Sequence, residues 1–157
     1  MPASPTVIPR PSELRQFVGK PLGPSDWIEV TQERIDGFAD ATGDHQWIHV
    51  DPERARRESP FGATVAHGYL TLSLAPTLLS QILRVEDTSA VLNAGIERMK
   101  LAAPVLAGSR LRLRSELKKV REMPGGAVRA TLGMVLELEG STKPACTADV
   151  VLVYVGA

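Results

Sequence analysis

The chain carries one cysteine, Cys146, and no excess charge of either sign, with 18 Lys and Arg against 18 Asp and Glu. A single thiol excludes a disulfide framework and a cysteine-based zinc site, and it fits a reducing compartment. A zero charge balance excludes a nucleic-acid binder, which needs a basic face to neutralise phosphates, and an acidic disordered chain. Long hydrophobic runs are also missing. The longest uncharged stretch, Ser59 to Leu83, includes the apolar segment Ala66 to Leu83, which contains His67, Ser73, Pro76, Ser80 and Gln81 and is too polar for a membrane span. Met1 to Pro11 has four prolines and no apolar run, so it does not read as a signal peptide. These absences lead to the expectation of a soluble, cytoplasmic protein with neither nucleic acid nor membrane as a partner.

What remains is 157 residues, 43% of them apolar, the length of one domain with enough material for a core. Residues 1–11 read as a flexible arm, since their Pro and Ser offer little to bury, and residues 12–157 as a single domain. Thr31 is placed to cap a helix in which Ile35, Phe38 and Ala39 recur at helical spacing, and Gly43 sits where a left-handed residue ends one. Asp51-Pro52-Glu53 opens a second, short helix, closed by Ser59-Pro60. Residues 66–83 predict one long helix, apolar on nearly every side and therefore central, which Pro76 should bend or break. Beyond Asp87 the period changes. Leu111, Leu113 and Leu117 alternate with charged residues, Pro124-Gly125-Gly126 marks a turn, and Val128 to Leu138 alternates again. Thr147 to Val155 and Thr88 to Met99 complete a run of mostly antiparallel strands. Segregated helices and strands make the class α+β, with a sheet wrapped round the buried helix.

Polar and ionisable groups concentrate where the first helix ends: Asp40, Thr42, Asp44, His45, His49 and Asp51. Asp44 and His49 lie five residues apart on an irregular segment, and a carboxylate with an imidazole can hold and deprotonate a water. The plainer alternative is a turn-capping Asp44 and a buried, carbonyl-satisfied His49. A metal shared by His45 and His49 is disfavoured, because Gln46-Trp47-Ile48 reads as extended and would separate the two by roughly 13 Å. His67-Gly68 opens the long helix. Its free N–H groups and the bare glycine offer an oxyanion site, or Gly68 serves only close packing. Arg110, Arg112 and Arg114 share one strand face, which reads as a solvated face ahead of a phosphate contact.

The run Phe38-Ala39-Asp40-Ala41-Thr42-Gly43-Asp44-His45-Gln46-Trp47-Ile48-His49-Val50-Asp51 resembles the hydratase signature of the MaoC-like dehydratases, the (R)-specific enoyl-CoA hydratases. Ala66-His67-Gly68 resembles the family's His-Gly start of the central helix, and Ala103-Pro104-Val105 with Gly108 resembles its Pro-Val-x-x-Gly turn. The resemblance spans residues 31 to about 108. Gln46-Trp47 stands where the family often has Asn-Pro, and Pro76 lies about where some members have a serine.

The resemblance implies a hotdog fold, usually dimeric, and hence a homodimer here. It implies syn addition of water to trans-2-enoyl thioesters of CoA or acyl carrier protein, giving (3R)-hydroxyacyl thioesters, or the reverse dehydration. It assigns Asp44 and His49 to the water and Gly68, with His67, to the thioester carbonyl. The reaction needs a water nucleophile, a proton for the α-carbon and a place for enolate charge, and no metal or cofactor. A hotdog thioesterase and a non-catalytic subunit of a heteromeric dehydratase remain alternatives. The second has no need of both Asp44 and His49.

Overall fold

In a computed structural model, residues 4–157 are described. Residues 1–3 of the expected arm lie outside them. Five helices run α1 Gln32–Thr42, α2 Trp47–Val50, α3 Pro52–Glu58, α4 Gly68–Ser73 and α5 Ala75–Ser80. Eight strands run β1 Thr6–Ile8, β2 Pro21–Leu22, β3 Ile28–Glu29, β4 Leu83–Val85, β5 Thr88–Leu101, β6 Arg110–Glu122, β7 Val128–Leu138 and β8 Cys146–Gly156. The main sheet has the order β2–β6–β7–β8–β5, antiparallel throughout, and β3 pairs further along the same edge of β6 as β2. This is the expected α+β hotdog arrangement, an antiparallel sheet wrapped around a central helix.

Strand alternation does the wrapping. Leu111, Leu113 and Leu117 on β6 are buried, as are Val128, Ala130, Leu132, Met134 and Leu136 on β7. A period of two puts each set on one face. That face meets Leu78, Leu79 and Ile82 from α5 and the segment after it. A smaller cluster gathers Val30, Ile35, Ala66, Leu70, Leu74, Val105 and Leu111, and so packs α1 against α4. On the outer face Lys118 of β6 crosses β7 at Gly133 to reach the buried Asp149 of β8 at 2.7 Å. A Cβ at Gly133 would meet the Lys118 stem at 2.5 Å, so only glycine leaves this path open.

Two expectations need correction. The single helix over 66–83 is two pieces, α4 and α5, joined through Leu74 in right-handed helical conformation, with Pro76 at the start of α5. Proline offers no N–H to the preceding turn, so the ladder is interrupted there. The helix also stops early, because Leu83–Val85 leaves it to form β4. The partner of β4 supplies the second correction. Residues from Thr6 onward are not a loose arm: Thr6, Val7 and Ile8 pair in parallel with Leu83, Arg84 and Val85. Ile8 is wholly buried against the main core, and Pro11 and Leu14 follow it inward on a 3-10 turn over Pro11–Phe17. Among the described residues no helix is long and apolar enough to cross a membrane.

Ile8→Ala should therefore lower the unfolding free energy by about 2–5 kcal/mol, the usual cost of emptying a buried Ile site. A denaturant titration checks this, and a loose arm would give no change.

Candidate active site

The site begins with how α1 ends. Thr31 Oγ1 accepts the Arg34 N–H at 3.1 Å and starts the helix, and Gly43 closes it at φ 80°, its N–H donating to Ala39 O at 2.8 Å. Only a residue free of Cβ strain turns the chain there. Asp44 is the next residue, with its side chain half-exposed. The following segment is helical where extended chain was expected: Trp47–Val50 makes one turn, α2, capped at its end by the Asp51 that also starts α3. Gln32 of α1 explains the difference. Its Nε2 donates to His49 O at 2.7 Å, and its Oε1 accepts the buried Thr64 hydroxyl at 2.5 Å. Tertiary hydrogen bonds thus outweigh the extended preference of the aromatic and β-branched residues Trp47, Ile48 and Val50.

His49 is buried, and its Nδ1 faces Val65 O at 2.5 Å. A carbonyl can only accept, so Nδ1 carries a hydrogen, and in the neutral ring Nε2 keeps its lone pair. His67, also buried, precedes α4, and its Nε2 donates to Asp44 O at 2.9 Å. The two imidazoles stack, centroids 3.8 Å apart and planes 24° apart. Phe38 of α1 meets the His67 ring at 4.9 Å. A carboxylate oxygen of Asp44, a ring nitrogen of His49 and one of His67 lie within 4.8 Å of one another.

The structure thus brings together Asp44, His49 and His67, and Gly68 follows His67 directly as the first residue of α4. A Cβ on Gly68 would collide with Leu101 Cδ1 at the end of β5, so this glycine gives the neighbouring side chain close access to the helix start. His45 is left out. It is exposed and bonds Asp40 at 2.9 Å. Sequence reasoning missed Gln32, Thr64 and the Val65 carbonyl, none of which has a local signature.

The three grouped residues are poorly arranged for an ion. A metal lies in the plane of each ligating ring, and two nearly parallel rings 3.8 Å apart do not converge on a common point at bonding distance. The basic strand face is also accounted for. Arg110 pairs with Glu139 at 3.0 Å, Arg112 and Arg114 both pair with Glu137, and Arg112 lies 4.5 Å over Trp27. Partial burial pushes the Glu137 carboxyl up, but hydrogen bonds from Arg112 and Arg114 outweigh it and hold the group below the usual carboxylate range. Beside α4 and α5 lies an apolar cavity of about 750 Å³, bounded by Leu72, Pro76, Leu79, Val91, Ile96 and Tyr154 among others.

Known proteins resemble this chain in sequence and in fold. The family described as MaoC like domain matches residues 13–136. The 3-hydroxyacyl-thioester dehydratase Z of Mycobacterium tuberculosis (strain H37Rv) is 47% identical over 144 residues, 92% of this chain and 95% of that protein. Among solved structures, a monoamine oxidase regulatory protein from Archaeoglobus superposes with a TM-score of 0.77 at 19% identity, over 99% of both chains. A chain of the HadBC complex, a 3R-hydroxyacyl-ACP dehydratase of Mycobacterium tuberculosis, superposes with a TM-score of 0.69 at 20% identity, over 87% of this chain and 96% of that one.

The His45–Asp40 pair gives the segment that contains Asp44 a pH-dependent tether. The Asp40 hydrogen bond raises the His45 pKa above its ordinary 6.5, against a smaller lowering by desolvation. A raised folded-state pKa stabilises the fold fully below the unfolded value, and the contribution is lost as pH rises through the folded one. Thermal melts of wild type and His45→Asn should therefore differ more near about pH 5 than near about pH 9, on either side of the ordinary histidine range. A difference that grows with pH would contradict the tether.

Proposed function

We propose that this chain, which belongs to the MaoC-like dehydratase family of hydratases and dehydratases and is a hydro-lyase, performs (R)-specific syn addition of water to trans-2-enoyl thioesters and the reverse dehydration. One observation carries the reading: Asp44 and His49 converge beside the start of α4 with His49 Nε2 left free by its Nδ1 bond to Val65 O.

Water is held between the Asp44 carboxylate and His49 Nε2, both hydrogen-bond acceptors. As its oxygen bonds to C3, one proton passes to the pair, and the electron pair of the C2–C3 double bond moves toward the thioester oxygen. The Gly68 N–H, at the positive end of α4, stabilises that enolate charge. The pair then delivers a proton to C2 from the side on which water added, which makes the addition syn. No group is consumed, so the same steps reversed give dehydration. The acyl chain extends from this point along α4 into the apolar cavity beside Leu72 and Pro76, where burying each methylene contributes about 0.8 kcal/mol.

A hotdog thioesterase would use the same substrates but break the C–S bond. Loss of enoyl absorbance without thiol release separates the two. We assign the assembly as a homodimer joined through β5. Among the described residues this strand has only β8 as a neighbour, and its Val91, Leu92, Ile96 and Leu101 are each about half-exposed. An unpaired apolar edge is a template for a second strand, and an antiparallel copy of β5 is self-complementary about a two-fold. The HadBC relative is a complex of different chains, so the competing outcome is a foreign partner at the same edge. Sedimentation of the isolated protein at micromolar concentration should show a dimer, and a stable monomer would contradict the assignment.

Asp44→Asn should lower kcat for crotonyl-CoA or a longer enoyl-CoA by roughly 10²–10⁴-fold, the usual worth of a positioned acid–base group, with the melting curve unchanged. His49→Ala should act alike, and the double variant should lose little more, because both residues handle one water. A turn-capping role predicts the opposite for Asp44→Asn, since Asn caps about as well as Asp. A folded Asp44→Asn protein hydrating at the wild-type rate would sink the mechanism.

A further inference from the structure

The His67 ring is committed on several sides. Its Nε2 donates to the backbone oxygen of Asp44 at 2.9 Å. One face stacks on His49 at 3.8 Å. Phe38 touches it at 4.9 Å. Its Nδ1 is the one buried side-chain nitrogen or oxygen among the described residues with no hydrogen-bond partner. Since Nε2 faces a carbonyl, it holds a hydrogen, and in the neutral ring Nδ1 is a bare acceptor sealed from solvent. One nitrogen is therefore engaged by backbone and the other is closed off, so neither is free to meet a substrate. A polar ring is nonetheless kept in a buried place where a leucine would leave no unpaired acceptor.

We infer that His67 is a positioning residue rather than a substrate ligand: it ties the backbone of Asp44 to the ring of His49, and so sets the distance between the two groups that handle the water. The inference rests on the proposed hydration and replaces the carbonyl-binding role that the family resemblance assigns to His67. The Asp44 loop leaves α1 through one glycine, and the Asp44 side chain is half-exposed. The Gln46 N–H to Asp44 Oδ1 contact is long, at 3.4 Å. The His67 bond to the Asp44 carbonyl is shorter and comes from a buried donor. His49 has its own anchors at Val65 O and through Gln32, and these fix where the ring sits. The stack on His67 fixes the plane in which Nε2 points. His67 Nε2 also stands 4.0 Å from Asp44 Oδ2, beyond hydrogen-bond reach. Removing His67 therefore frees both partners while leaving the Asp44 carboxylate and His49 Nε2 themselves in place.

The test uses the full chain, two variants and one spectroscopic measurement. His67→Phe keeps a ring against His49 but has no N–H for the Asp44 carbonyl. His67→Gln keeps an N–H at the same reach and loses the stack. His67→Phe should lower kcat for crotonyl-CoA by about 10- to 100-fold, the scale of a catalytic group displaced by about 1 Å, with KM nearly unchanged and both limbs of the pH profile retained. His67→Gln should recover part of that loss. Nitrogen-15 NMR of the wild-type protein should show neutral His49 protonated on Nδ1 and neutral His67 on Nε2. An unchanged kcat in His67→Phe would overturn the inference, as would a KM rise equal to the loss, the disappearance of one pH limb, or a His67 protonated on Nδ1. If the wild-type protein hydrates no enoyl thioester, the function proposed above fails, and the NMR result still decides the geometry of His67.

Discussion

Two imidazoles buried face to face at the start of α4 set the position of everything around them. Each ring donates to a backbone carbonyl, His49 to Val65 and His67 to Asp44. Each bond reaches across the chain, over 16 and 23 residues. The first is doubled, because the Val65 N–H returns a bond to Ile48 O at 3.0 Å. The helical turn carrying His49 is thereby clipped to the segment that leads into α4, and Gln32 clips it from the other side to α1. Leaving His67 Nδ1 unpaired costs about 1–3 kcal/mol, a loss offset by packing and by the bonds the ring makes elsewhere. A site that carries such a cost is the place where local stability yields to geometry.

The rest of the fold holds that arrangement at one end of the central helix. The larger core, built on α5 and the inner faces of β6, β7 and β8, contains no part of the site. The smaller cluster does contact it, since Ile35 of α1, Ala66 beside His67 and Leu70 of α4 all lie there. The break at Pro76 separates the two regions. α4 starts at the ionisable groups and ends where the apolar cavity begins, and α5 packs into the core. Proline withholds an N–H from the turn before it, so the helix bends where the cavity opens beside Leu72 and Pro76.

Local chemistry made much of this legible in the sequence. The Thr31 cap, the Gly43 turn, the Asp51-Pro52 helix start and the alternation of β6 and β7 all depend on residues a few positions apart. They stand in the structure where the pattern placed them. What escaped depends on distant partners. Ile8 is buried only because Thr6–Ile8 pairs with Leu83–Val85, more than seventy residues on, and no pattern within residues 1–11 announces that. Trp47-Ile48-His49-Val50 favours extended chain by composition, and Gln32 overrides it from α1. Asp44, His49 and Gly68 stood out as residue types with chemistry. The Val65 and Asp44 carbonyls, which fix the two ring tautomers, belong to the backbone and carry no residue signature at all.

The edge strand β5 divides into two stretches of different character. From Thr88 to Ile96 it bears no charge, and Val91 and Leu92, on opposite faces, are each about half-exposed. Edge strands that stay solvated are guarded by lysine, proline, inward charges or bulges. This stretch has no lysine, proline or charge, though its register shifts between Thr88 and Ala90 and between Asn93 and Gly95. From Glu97 the strand is charged but irregular. Arg98 takes φ 50°, the register shifts between Glu97 and Lys100, and the Arg98 guanidinium turns to Asp149 of β8 at 3.4 Å. The uncharged stretch is suited to a second strand, and Val91 and Ile96 within it also wall the apolar cavity. A copy paired on β5 would therefore help close the space proposed for the acyl chain. Under the proposed pairing the tolerated chain length would belong to the assembly, and substitutions at Val91 or Ile96 would act on pairing and on substrate selection together.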